Sequence, residues 1–547
     1  MAEFDRAASR ARLADETFDV VVVGGGITGA GVALDAASRG LRTALVERSD
    51  FASGTSSKSS KLVHGGLRYL NQRDYRLVYE ALAERQRLLD NAPHLVQALP
   101  FLIPLYGGKA IAKALNTALW LYDLTGGLRI GKRHKRISID DTLGHMPTLR
   151  RKGLAAGFLY YDARADDARL TLSLVRTAAL DHGAVAANYT PVTGVLREDG
   201  GGGRAVGVRA GDIEVRAAAV VNATGVWADE VRAMDEGVHP HVIRPAKGVH
   251  ITVPFDKVQP DIAVVIPVLK DKRSIFVVPW GDRVYIGTTD TDYQGSLEHP
   301  TCTKADVRYL LDAANAFLSE PLTEADILGT WAGLRPLVAS ASSERTADLS
   351  RRHKVTRSES GVVTVTGGKL TTYRRMASDT VDAVAEQLGR RGKSRTKKLP
   401  LRGAVGADAL LASGAGERLG VTDAQLAHLA SRYGAEARTV AAIVAGDPPT
   451  GEPLIPSLPY LRAEALYAVR YEMAQNLEDV LSRRTRALLL ARDACDAAAA
   501  DVAAMVAPEL GWDDAQTARE VAAFRELIAT ERTTAASDDP MEALARP

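Results

Sequence analysis

Residues 18–29 read FDVVVVGGGITG, and this stretch decides the fold of the chain. The β-branched run Phe18–Val23 is long enough for a buried parallel strand and too short for a helix. A helix of small residues follows from Ala30 to Arg39, and a second apolar run, Leu41–Val46, ends at Glu47. The pattern predicts a β-α-β unit with Gly-x-Gly-x-x-Gly at its first turn.

Each glycine of this turn has a physical role in binding a dinucleotide. Gly24 permits a tight turn, Gly26 lets backbone N–H groups approach a pyrophosphate, and Gly29 lets helix and strand pack closely. Glu47 lies 23 residues after Gly24, where a carboxylate can accept hydrogen bonds from a ribose diol. Such a turn also arises by chance in a chain with 47 glycines. The strand before it, the helix after it and the acid favour dinucleotide binding.

The composition excludes several classes of protein. The 547 residues predict two to four domains, and the 46% apolar fraction excludes a disordered or fibrous chain. Lys+Arg 69 against Asp+Glu 67 gives a net charge of +2, which argues against a nucleic-acid-binding protein. Cys302 and Cys495 are far apart, which excludes a disulfide framework and a Cys-based zinc site and fits a reducing compartment. We find no signal sequence and no apolar stretch that could span a bilayer.

The rest of the chain continues an α/β pattern and then becomes helical. Ala217–Ala223 predicts a buried strand, and the runs between 242 and 291 predict a mixed or antiparallel sheet that walls a pocket. Val362–Thr366 predicts a strand, followed by a sharp turn and a helix over Thr371–Leu388. Beyond this helix the residues are Ala- and Leu-rich with helical spacing.

A segment from Ile111 to Leu124 predicts a helix whose residues Ile111, Leu115, Leu119 and Tyr122 share one face. The basic cluster Lys132–Arg136 follows it. The favoured interpretation is a packed helix followed by a solvated turn. The alternative is an interfacial helix that lies beside anionic lipid headgroups.

Taken together, the glycine-rich stretches identify a family. The chain closely resembles the FAD-dependent, respiratory type of glycerol-3-phosphate dehydrogenase. Two stretches carry the resemblance, VGGGITGAGVALDAASRGL (23–41) and GGKLTTYRRMAS (367–378). Five more support it, namely TSSKSSKLVHGGLRYL (55–70), YYDARADDARL (160–170), VVNATGVWAD (220–229), IGTTD (286–290) and AGLRPL (332–337). They extend over about the first 390 residues.

The resemblance implies a fold of the D-amino-acid oxidase type, which is α/β with an added helical domain. A Rossmann-like FAD domain would comprise 17–95, 150–235 and 330–390, with a β-rich substrate domain formed by 96–149 and 236–329. A basic linker over 391–403 would precede an all-helical cap domain over 404–530. Residues 1–16 and 531–547 would be flexible termini.

The implied reaction is oxidation of sn-glycerol 3-phosphate to dihydroxyacetone phosphate, with hydride transfer to flavin N5 and electrons passed to a membrane quinone. Removal of the hydride requires a base for the hydroxyl proton, and the phosphate requires fixed cations. Arg335, Arg68, Tyr69 and Lys369 match substrate-contacting positions of the family. Lys369 and the helix that begins near Thr371 would stabilise the reduced flavin. His250 is slightly favoured over His64 as the base, and His64 would then orient the flavin.

The FAD is expected to bind without a covalent link. The positions that the resemblance assigns to it are Gly24, Gly26, Thr28, Gly29, Glu47, Thr55, Ser56, Ser57, His64, Gly65, Gly66, Val192, Gly225, Trp227, Gly368, Lys369, Leu370 and Thr371. We further expect no metal, a homodimer, and a cytoplasmic protein that binds peripherally to the anionic inner face of the plasma membrane.

Three alternatives remain open at this stage. A glycerol-3-phosphate oxidase would reduce oxygen to peroxide, although the basic linker and the helical cap favour the dehydrogenase. An NAD-dependent enzyme would have no use for GGKLTTYR (367–374). A non-catalytic flavin-binding protein would have no need to keep Arg68, Arg335 and Lys369.

Overall fold

The computed structural model describes residues 4–71, 74–198, 202–269, 273–338 and 352–537. Its strands in chain order are β1 (Thr17–Val23), β2 (Thr43–Val46), β3 (Leu62–Val63), β4 (Val96–Tyr106), β5 (Lys135–Ile137), β6 (Leu154–Ala165), β7 (Val185–Ala187), β8 (Val192–Arg197), β9 (Ala205–Ala210), β10 (Ile213–Asn222), β11 (Ile243–Pro254), β12 (Ala263–Pro267), β13 (Ser274–Trp280), β14 (Arg283–Gly287), β15 (Thr291–Asp292), β16 (Gly329–Val338), β17 (Lys354–Arg357) and β18 (Val363–Thr366). Its α-helices are α1 (Arg6–Asp15), α2 (Ile27–Ser38), α3 (Arg68–Asn71), α4 (Tyr75–Asn91), α5 (Lys109–Leu124), α6 (Ile139–His145), α7 (Asp167–Arg176), α8 (Ala228–Glu236), α9 (Lys304–Asn315), α10 (Tyr373–Gln387), α11 (Asp423–Tyr433), α12 (Ala437–Gly446), α13 (Arg462–Glu472), α14 (Ala487–Leu490), α15 (Arg492–Leu510) and α16 (Asp514–Ala536).

Strand β1 lies inside a sheet of order β17-β18-β10-β1-β2-β7, with β9 beside β10 and β8 beside β9. Strands β18, β10, β1, β2 and β7 run parallel. Helices α2, α7 and α10 pack on one face, and α1 packs against the other. The central strand β1 is apolar from Val20 to Val23 because both of its faces are buried there. The structure confirms the predicted β-α-β unit and the Rossmann-like class.

The second sheet has the order β15-β11-β14-β13-β12-β4-β6-β3, with β16 beside β11 and β5 beside β6. It is antiparallel except where β12 meets β4, so the predicted mixed sheet is confirmed. Alternate residues divide between its two faces. Val249 and Ile251 belong to the apolar core beneath α6 and α9, whereas Tyr285 and Trp331 belong to the core shared with α4 and α5.

Helices α11 to α16 form a separate helical domain with two apolar cores of its own. It contacts the parallel-sheet domain through buried arginine–carboxylate pairs as well as apolar packing. Arg169 contacts Glu472, and Arg484 contacts Asp50, in each case with both side chains almost fully buried. The predicted C-terminal helical domain is therefore confirmed.

The termini are more ordered than the sequence predicts. Residues 6–15 of the predicted flexible segment form α1, whose Arg6 donates hydrogen bonds to the carbonyls of Asn188 and Tyr189 at 3.0 and 2.9 Å. Leu13 is buried against the parallel sheet, which explains why the helix is fixed. At the other end α16 continues to Ala536, and residues 538–547 lie outside the described part of the chain.

Several strands do not follow the predicted domain boundaries. Strands β3 and β6 fall within stretches assigned to the FAD domain, yet both belong to the antiparallel sheet. Strand β16 also belongs there, because it pairs with β11 from Val338 to Gly329. Each of the two sheets is thus built from several separate stretches of the chain.

Two further segments differ from expectation. The predicted linker is docked, because the carbonyl of Thr396 accepts a hydrogen bond from Asn91 at 3.1 Å and Leu401 is buried. In α5 the Ile111 side chain is exposed while Leu119 and Tyr122 are buried. The predicted solvated turn after α5 is also partly wrong, since His134 is buried with its Nδ1 2.7 Å from Asp123.

Candidate active site

The glycine turn after β1 is as tight as the sequence predicts. Gly24 has a φ of +106°, and a Cβ there would lie 2.8 Å from the carbonyl oxygen of Ala223. A Cβ on Gly29 would lie 1.8 Å from the Gly24 oxygen, so α2 approaches β1 at a distance that only glycine allows. Gly26 is the N-cap of α2 and supplies no side-chain cap. The N-terminal amides of α2 and the partly exposed Thr28 are therefore placed at the turn, where an anion binds favourably.

Glu47 lies directly against this turn. Its Oε2 accepts a hydrogen bond from the Gly25 amide at 2.6 Å, and its Oε1 accepts one from the Ser49 amide at 2.9 Å. Burial raises the pKa of the Glu47 carboxyl, and the two amide hydrogen bonds oppose that rise. Thr190 donates its amide to the Glu47 carbonyl at 2.7 Å, which places the start of β8, and thus Val192, at the same edge.

A second wall of this cleft comes from the turn after β10. Gly225 has a φ of +62°. The Trp227 ring packs against Gly54, and a Cβ at position 54 would lie only 3.0 Å from this ring. The Arg48 guanidinium lies 4.2 Å from the centre of the same ring. Among the described residues, the indole Nε1 of Trp227 is buried without a hydrogen-bond partner. The glycine cradle, Glu47 and this unsatisfied donor fit a bound dinucleotide.

The segment Thr55–Ser57 forms a 3-10 turn above the start of α2. Ser56 accepts the Ile27 amide on its hydroxyl at 2.8 Å, and Thr55 donates its hydroxyl to the Leu334 carbonyl at 2.5 Å. The buried Ser57 accepts hydrogen bonds on its carbonyl from Lys61 and Arg486. All three predicted positions therefore lie between the glycine turn and the antiparallel sheet.

Two predicted stretches that are distant in sequence meet at His64 and Thr371. The His64 amide donates to the Thr371 hydroxyl at 3.1 Å, and that hydroxyl donates back to the His64 carbonyl at 3.3 Å. The Gly65 amide donates to the Tyr122 hydroxyl at 2.9 Å. The turn that contains His64, Gly65 and Gly66 is thus fixed beside the 3-10 turn Leu370–Thr372, which precedes the helix predicted from Thr371.

Lys369 is brought to this place by two glycines with positive φ, Gly367 at +75° and Gly368 at +84°. A Cβ on Gly368 would lie 2.2 Å from the Met376 sulfur, so the turn packs tightly on α10. The Lys369 ammonium lies 3.8 Å from the centre of the Tyr69 ring. Arg68 begins α3, and its side chain lies outside the described part of the structure.

Arg335 lies on β16 opposite Ala246 of β11 and reaches across the strand. Its guanidinium is 3.3 Å from Asp290 and donates to the Thr288 hydroxyl and the Thr289 carbonyl, each at 3.2 Å. The side chain is 21% exposed, so these contacts orient the guanidinium without enclosing it. A Cβ on Gly248 would lie 2.5 Å from Nη2, which explains why glycine occupies that position.

His250 lies on the same face of the sheet but is only 2% exposed. Its ring stacks on Trp331 at 4.7 Å with an angle of 9°, and Nε2 is 2.9 Å from the Ser60 hydroxyl. Burial, together with the charges of Lys61 and Arg335, holds the pKa of His250 well below its usual range, so the imidazole is neutral. Within the described residues Nδ1 has no hydrogen-bond partner.

The sequence analysis missed the residues that support His250. Ser60, Lys61 and Trp331 surround it, and burial lowers the pKa of Lys61 to about 8. Ser60 and Lys61 belong to the SSKSSK stretch (56–61), and nothing in that stretch indicates His250 as their partner. The described residues contain no group of His, Cys, Asp and Glu side chains that could hold a metal ion.

Comparison with known proteins places this geometry in context. The family described as FAD dependent oxidoreductase matches residues 19–374, and the family described as C-terminal domain of alpha-glycerophosphate oxidase matches residues 394–517. Glycerol-3-phosphate dehydrogenase 2 of Mycobacterium bovis is 44% identical over an alignment of 548 positions that covers 98% of this chain and 92% of that protein. The mitochondrial glycerol-3-phosphate dehydrogenase of Bos taurus is 38% identical over 93% of this chain and 73% of its own length.

Two solved structures extend the comparison. The glycerol-3-phosphate dehydrogenase of Bacillus halodurans, complexed with FAD, superposes with a TM-score of 0.78 at 31% identity and covers 98% of both chains. The L-alpha-glycerophosphate oxidase of Mycoplasma pneumoniae, with FAD bound, has a TM-score of 0.56 at 17% identity and covers 71% of this chain and 99% of its own. The second likeness shows a shared fold.

Proposed function

We propose a function on one premise: the chain belongs to the family of FAD-dependent glycerol-3-phosphate dehydrogenases. It is an FAD-dependent oxidoreductase, and its reaction is the oxidation of sn-glycerol 3-phosphate at the secondary alcohol to dihydroxyacetone phosphate. The observation that carries this proposal is the pairing of a dinucleotide cradle at Gly24–Gly29 with two oriented cations, Arg335 and Lys369, beside it.

The cofactor would extend along the cleft from Glu47 to Lys369. The amides at the start of α2 would bind its pyrophosphate, and Glu47 would exchange the Gly25 amide for a ribose hydroxyl. At the far end would lie the turns that His64 and Thr371 join. FAD, when bound, supplies the acceptor for the substrate hydride. The positive charge of Lys369 and the N-terminal end of α10 would stabilise negative charge that develops there.

The substrate phosphate would bind to Arg335. Its guanidinium is planar, fixed by Asp290 and Thr288, and still one-fifth exposed, so it can offer two N–H groups to a phosphate. Tyr69 and Lys369 would contact the rest of the substrate, and Arg68 is proposed with them on the resemblance to the family alone. A substrate analogue with an uncharged group in place of the phosphate would lose the binding to Arg335.

We assign the proton acceptor to His250 and keep His64 as the second candidate. His250 is neutral, and the phosphate would partly cancel the Arg335 charge that lowers its pKa, which makes the ring a stronger base. His64 is partly exposed, and its ring lies 6.3 Å from that of Phe276 on the substrate sheet. Replacement by Asn at each position separates the two: the larger loss of flavin reduction at high pH identifies the base.

Electrons would leave toward a membrane quinone at the face formed by α5. A groove of about 530 Å³ is lined by Leu70, Ala110, Lys113, Ala114, Thr117, Ala118 and Leu121. Its wall residue Leu70 follows Tyr69, and the inner face of α5 binds the Gly65 amide through Tyr122. The groove is therefore one layer from the flavin end of the cleft, and its apolar lining suits an isoprenoid quinone.

The same face would attach the protein to the cytoplasmic side of the plasma membrane. Ile111 and Leu124 are exposed there by 56% and 70%, beside the basic residues Lys113 and Arg133. This combination favours an anionic lipid surface. No helix in the described ranges has the length and apolarity that crossing a bilayer requires.

We also propose that the protein is a homodimer.

An anaerobic reaction with sn-glycerol 3-phosphate tests the proposed function. The absorbance of the bound flavin should bleach, and a soluble quinone analogue should restore it. Rapid peroxide formation in air with slow reduction of the quinone would favour the oxidase alternative. Absence of bleaching in protein that holds FAD would overturn the proposal.

A further inference from the structure

One arginine of the helical domain, Arg486, contacts the turn that lies over the glycine cradle. Arg486 precedes α14, has a φ of +67°, and has a side chain that is 1% exposed. Its Nη2 donates to the Ser57 carbonyl at 2.7 Å and to Asp167 Oδ1 at 2.5 Å. Both acceptors belong to the cofactor domain, at the 3-10 turn and at the start of α7. A single side chain of the C-terminal domain thus contacts the turn that lies over the glycine cradle.

Asp167 connects this arginine to the whole segment from Ser57 to Lys61. The carboxylate is fully buried, and its Oδ2 accepts the Ser59 amide at 3.0 Å and the Ser59 hydroxyl at 2.6 Å. Its Oδ1 lies 3.4 Å from the Lys61 ammonium. Lys61 also has a φ of +56°, which a non-glycine residue adopts only where the surroundings fix the backbone.

The opposite side of this segment faces the proposed substrate site. The Ser60 hydroxyl is 2.9 Å from His250 Nε2, and the Ser60 carbonyl accepts a hydrogen bond from Tyr285 at 2.9 Å. Trp331, on which His250 stacks, donates its indole N–H to the Ser59 carbonyl at 3.3 Å. The segment Ser57–Lys61 is therefore held between Arg486 and Asp167 on one side and the face that bears His250 on the other.

Other contacts also join the helical domain to the parallel-sheet domain. Arg484 binds both oxygens of Asp50 at 2.6 and 2.8 Å, and Arg483 adds a third hydrogen bond to the same carboxylate at 2.7 Å. Apolar cores complete the helical domain. A buried ion pair contributes little net stability compared with apolar packing. The placement of Arg486 is thus better explained by the segment that it holds.

We propose that Arg486 is a positioning residue of the active site, which acts through Asp167 and the Ser57 carbonyl on the segment Ser57–Lys61. The effect expected on the rate of flavin reduction rests on the proposed function. The effect expected on FAD binding rests on the cofactor cradle alone. The helical domain is then part of the catalytic unit, because the segment that orients His250 and covers the cofactor is completed by a residue of that domain.

The test compares Arg486→Lys with Arg470→Ala in the full-length holoenzyme. Lysine keeps the charge but cannot reproduce the forked geometry that serves Ser57 and Asp167 together. Arg470 pairs with Glu509 on the surface of the same domain, so its variant is the matched control. For Arg486→Lys we expect flavin reduction to slow by roughly 10- to 100-fold with little change in substrate KM, since displacement of a catalytic group lowers the rate of the chemical step.

Two readouts do not depend on turnover. The visible circular dichroism of bound flavin should change, and apoprotein should bind FAD more weakly, in Arg486→Lys and not in Arg470→Ala. Asp167→Asn should reproduce these changes, and the double variant should add little to either single one. If wild-type flavin is not reduced by glycerol 3-phosphate, the proposed function fails while these binding readouts still decide the inference.

The inference is overturned if Arg486→Lys matches Arg470→Ala in flavin spectrum, FAD affinity and reduction rate. It is also overturned if Arg486→Lys and Asp167→Asn add independently. If the Arg486→Lys protein does not fold, Asp167→Asn becomes the test, because it keeps a side chain of the same size. A wild-type flavin spectrum in folded Asp167→Asn would then contradict the inference.

Discussion

The ammonium group of Lys369 lies 3.8 Å from the centre of the Tyr69 ring. These two residues are 300 positions apart, in the stretch 367–378 that carries the resemblance to the family and the stretch 55–70 that supports it. The π face attracts the cation and holds it beside Tyr69, at the end of the cleft where we propose that the flavin ring lies.

Replacement of Lys369 by Met should slow flavin reduction by about 10²–10³-fold, the cost of removing a preorganised positive group at a developing negative charge. Tyr69→Phe keeps the aromatic face and should stay close to wild type, whereas Tyr69→Leu should resemble a milder Lys369→Met. Stopped-flow absorbance of the flavin measures all three. Equal rates for Tyr69→Phe and Tyr69→Leu would show that the ring does not position the lysine.

Arg335→Ala should raise the KM for glycerol 3-phosphate by roughly 10- to 150-fold while FAD stays bound, because a hydrogen-bonded charge pair contributes about 1.5–3 kcal/mol. Arg335→Lys should recover only part of this loss, since an ammonium cannot bind phosphate with two parallel N–H groups. Steady-state kinetics and the flavin spectrum report the two effects separately. Wild-type kinetics for Arg335→Ala would remove Arg335 from the phosphate site.

Gly29→Ala should abolish FAD binding, because its Cβ would lie 1.8 Å from the Gly24 carbonyl oxygen and α2 would have to move away from the cradle. Gly144→Ala is the matched control: it lies within α6, and a Cβ there has no neighbour within 4 Å. Alanine at position 144 should leave FAD binding intact and raise stability slightly, by about 0.5–1 kcal/mol. Flavin retained after gel filtration measures the difference. Yellow Gly29→Ala protein would contradict the role of the close approach.

Acid should destabilise the helical domain through Glu464. Burial alone would raise the pKa of this carboxyl, but His428, Arg432 and the Leu461 amide outweigh burial and lower it to about 2. Because the pKa is lower folded than unfolded, the stabilisation is present above about pH 4.5 and is lost as pH falls toward 2. A shift of this size corresponds to about 3 kcal/mol.

Glu464→Gln should remove this part of the pH dependence. As the pH is lowered from 5 to 3, the Tm of the wild type should fall more steeply than the Tm of the variant. Glu417→Gln, at an exposed carboxylate of the same domain, serves as the control and should keep the wild-type slope. Parallel slopes for wild type and Glu464→Gln would show that Glu464 does not titrate differently on folding.

Attachment to anionic vesicles should depend on the outer face of α5. Leu124→Asp should weaken co-sedimentation with vesicles of phosphatidylglycerol and phosphatidylcholine, because it places a charge where an exposed apolar side chain would enter the headgroup region. Lys113→Glu should weaken it further at low salt. Leu411→Asp, at an equally exposed leucine of the helical domain, should have no effect. Binding that ignores all three changes would exclude α5 as the membrane face.

The sequence predicted the β-α-β unit because its information is local: apolar period, glycine turn and terminal acid lie within thirty residues. The environment of His250 could not be predicted, since it depends on Ser60, Trp331 and Lys61, which meet only when β16 pairs with β11. The sheet that β3, β6 and β16 join could not be predicted for the same reason, because a strand's sheet depends on its partner and its own residues do not specify it.

The buried contact between α1 and the parallel sheet was also invisible in the sequence. Asp5 caps α1 through the Ala8 amide at 2.7 Å, a signal that can be found in the sequence. The mixed charges of residues 1–16 concealed the buried apolar side chains of Phe4 and Leu13. Arg6 reaches the Asn188 carbonyl, 182 positions away, and no local pattern indicates that partner.

The contact of Arg486 with Asp167 spans 319 positions of the chain, and that of Arg484 with Asp50 spans 434. During synthesis the cradle for the cofactor therefore leaves the ribosome long before the residues that complete it. At about 5–20 residues per second, this interval lasts tens of seconds. A nascent chain has its glycine turn in place but lacks the support of its covering segment, so stable capture of the cofactor is an event of the finished polypeptide.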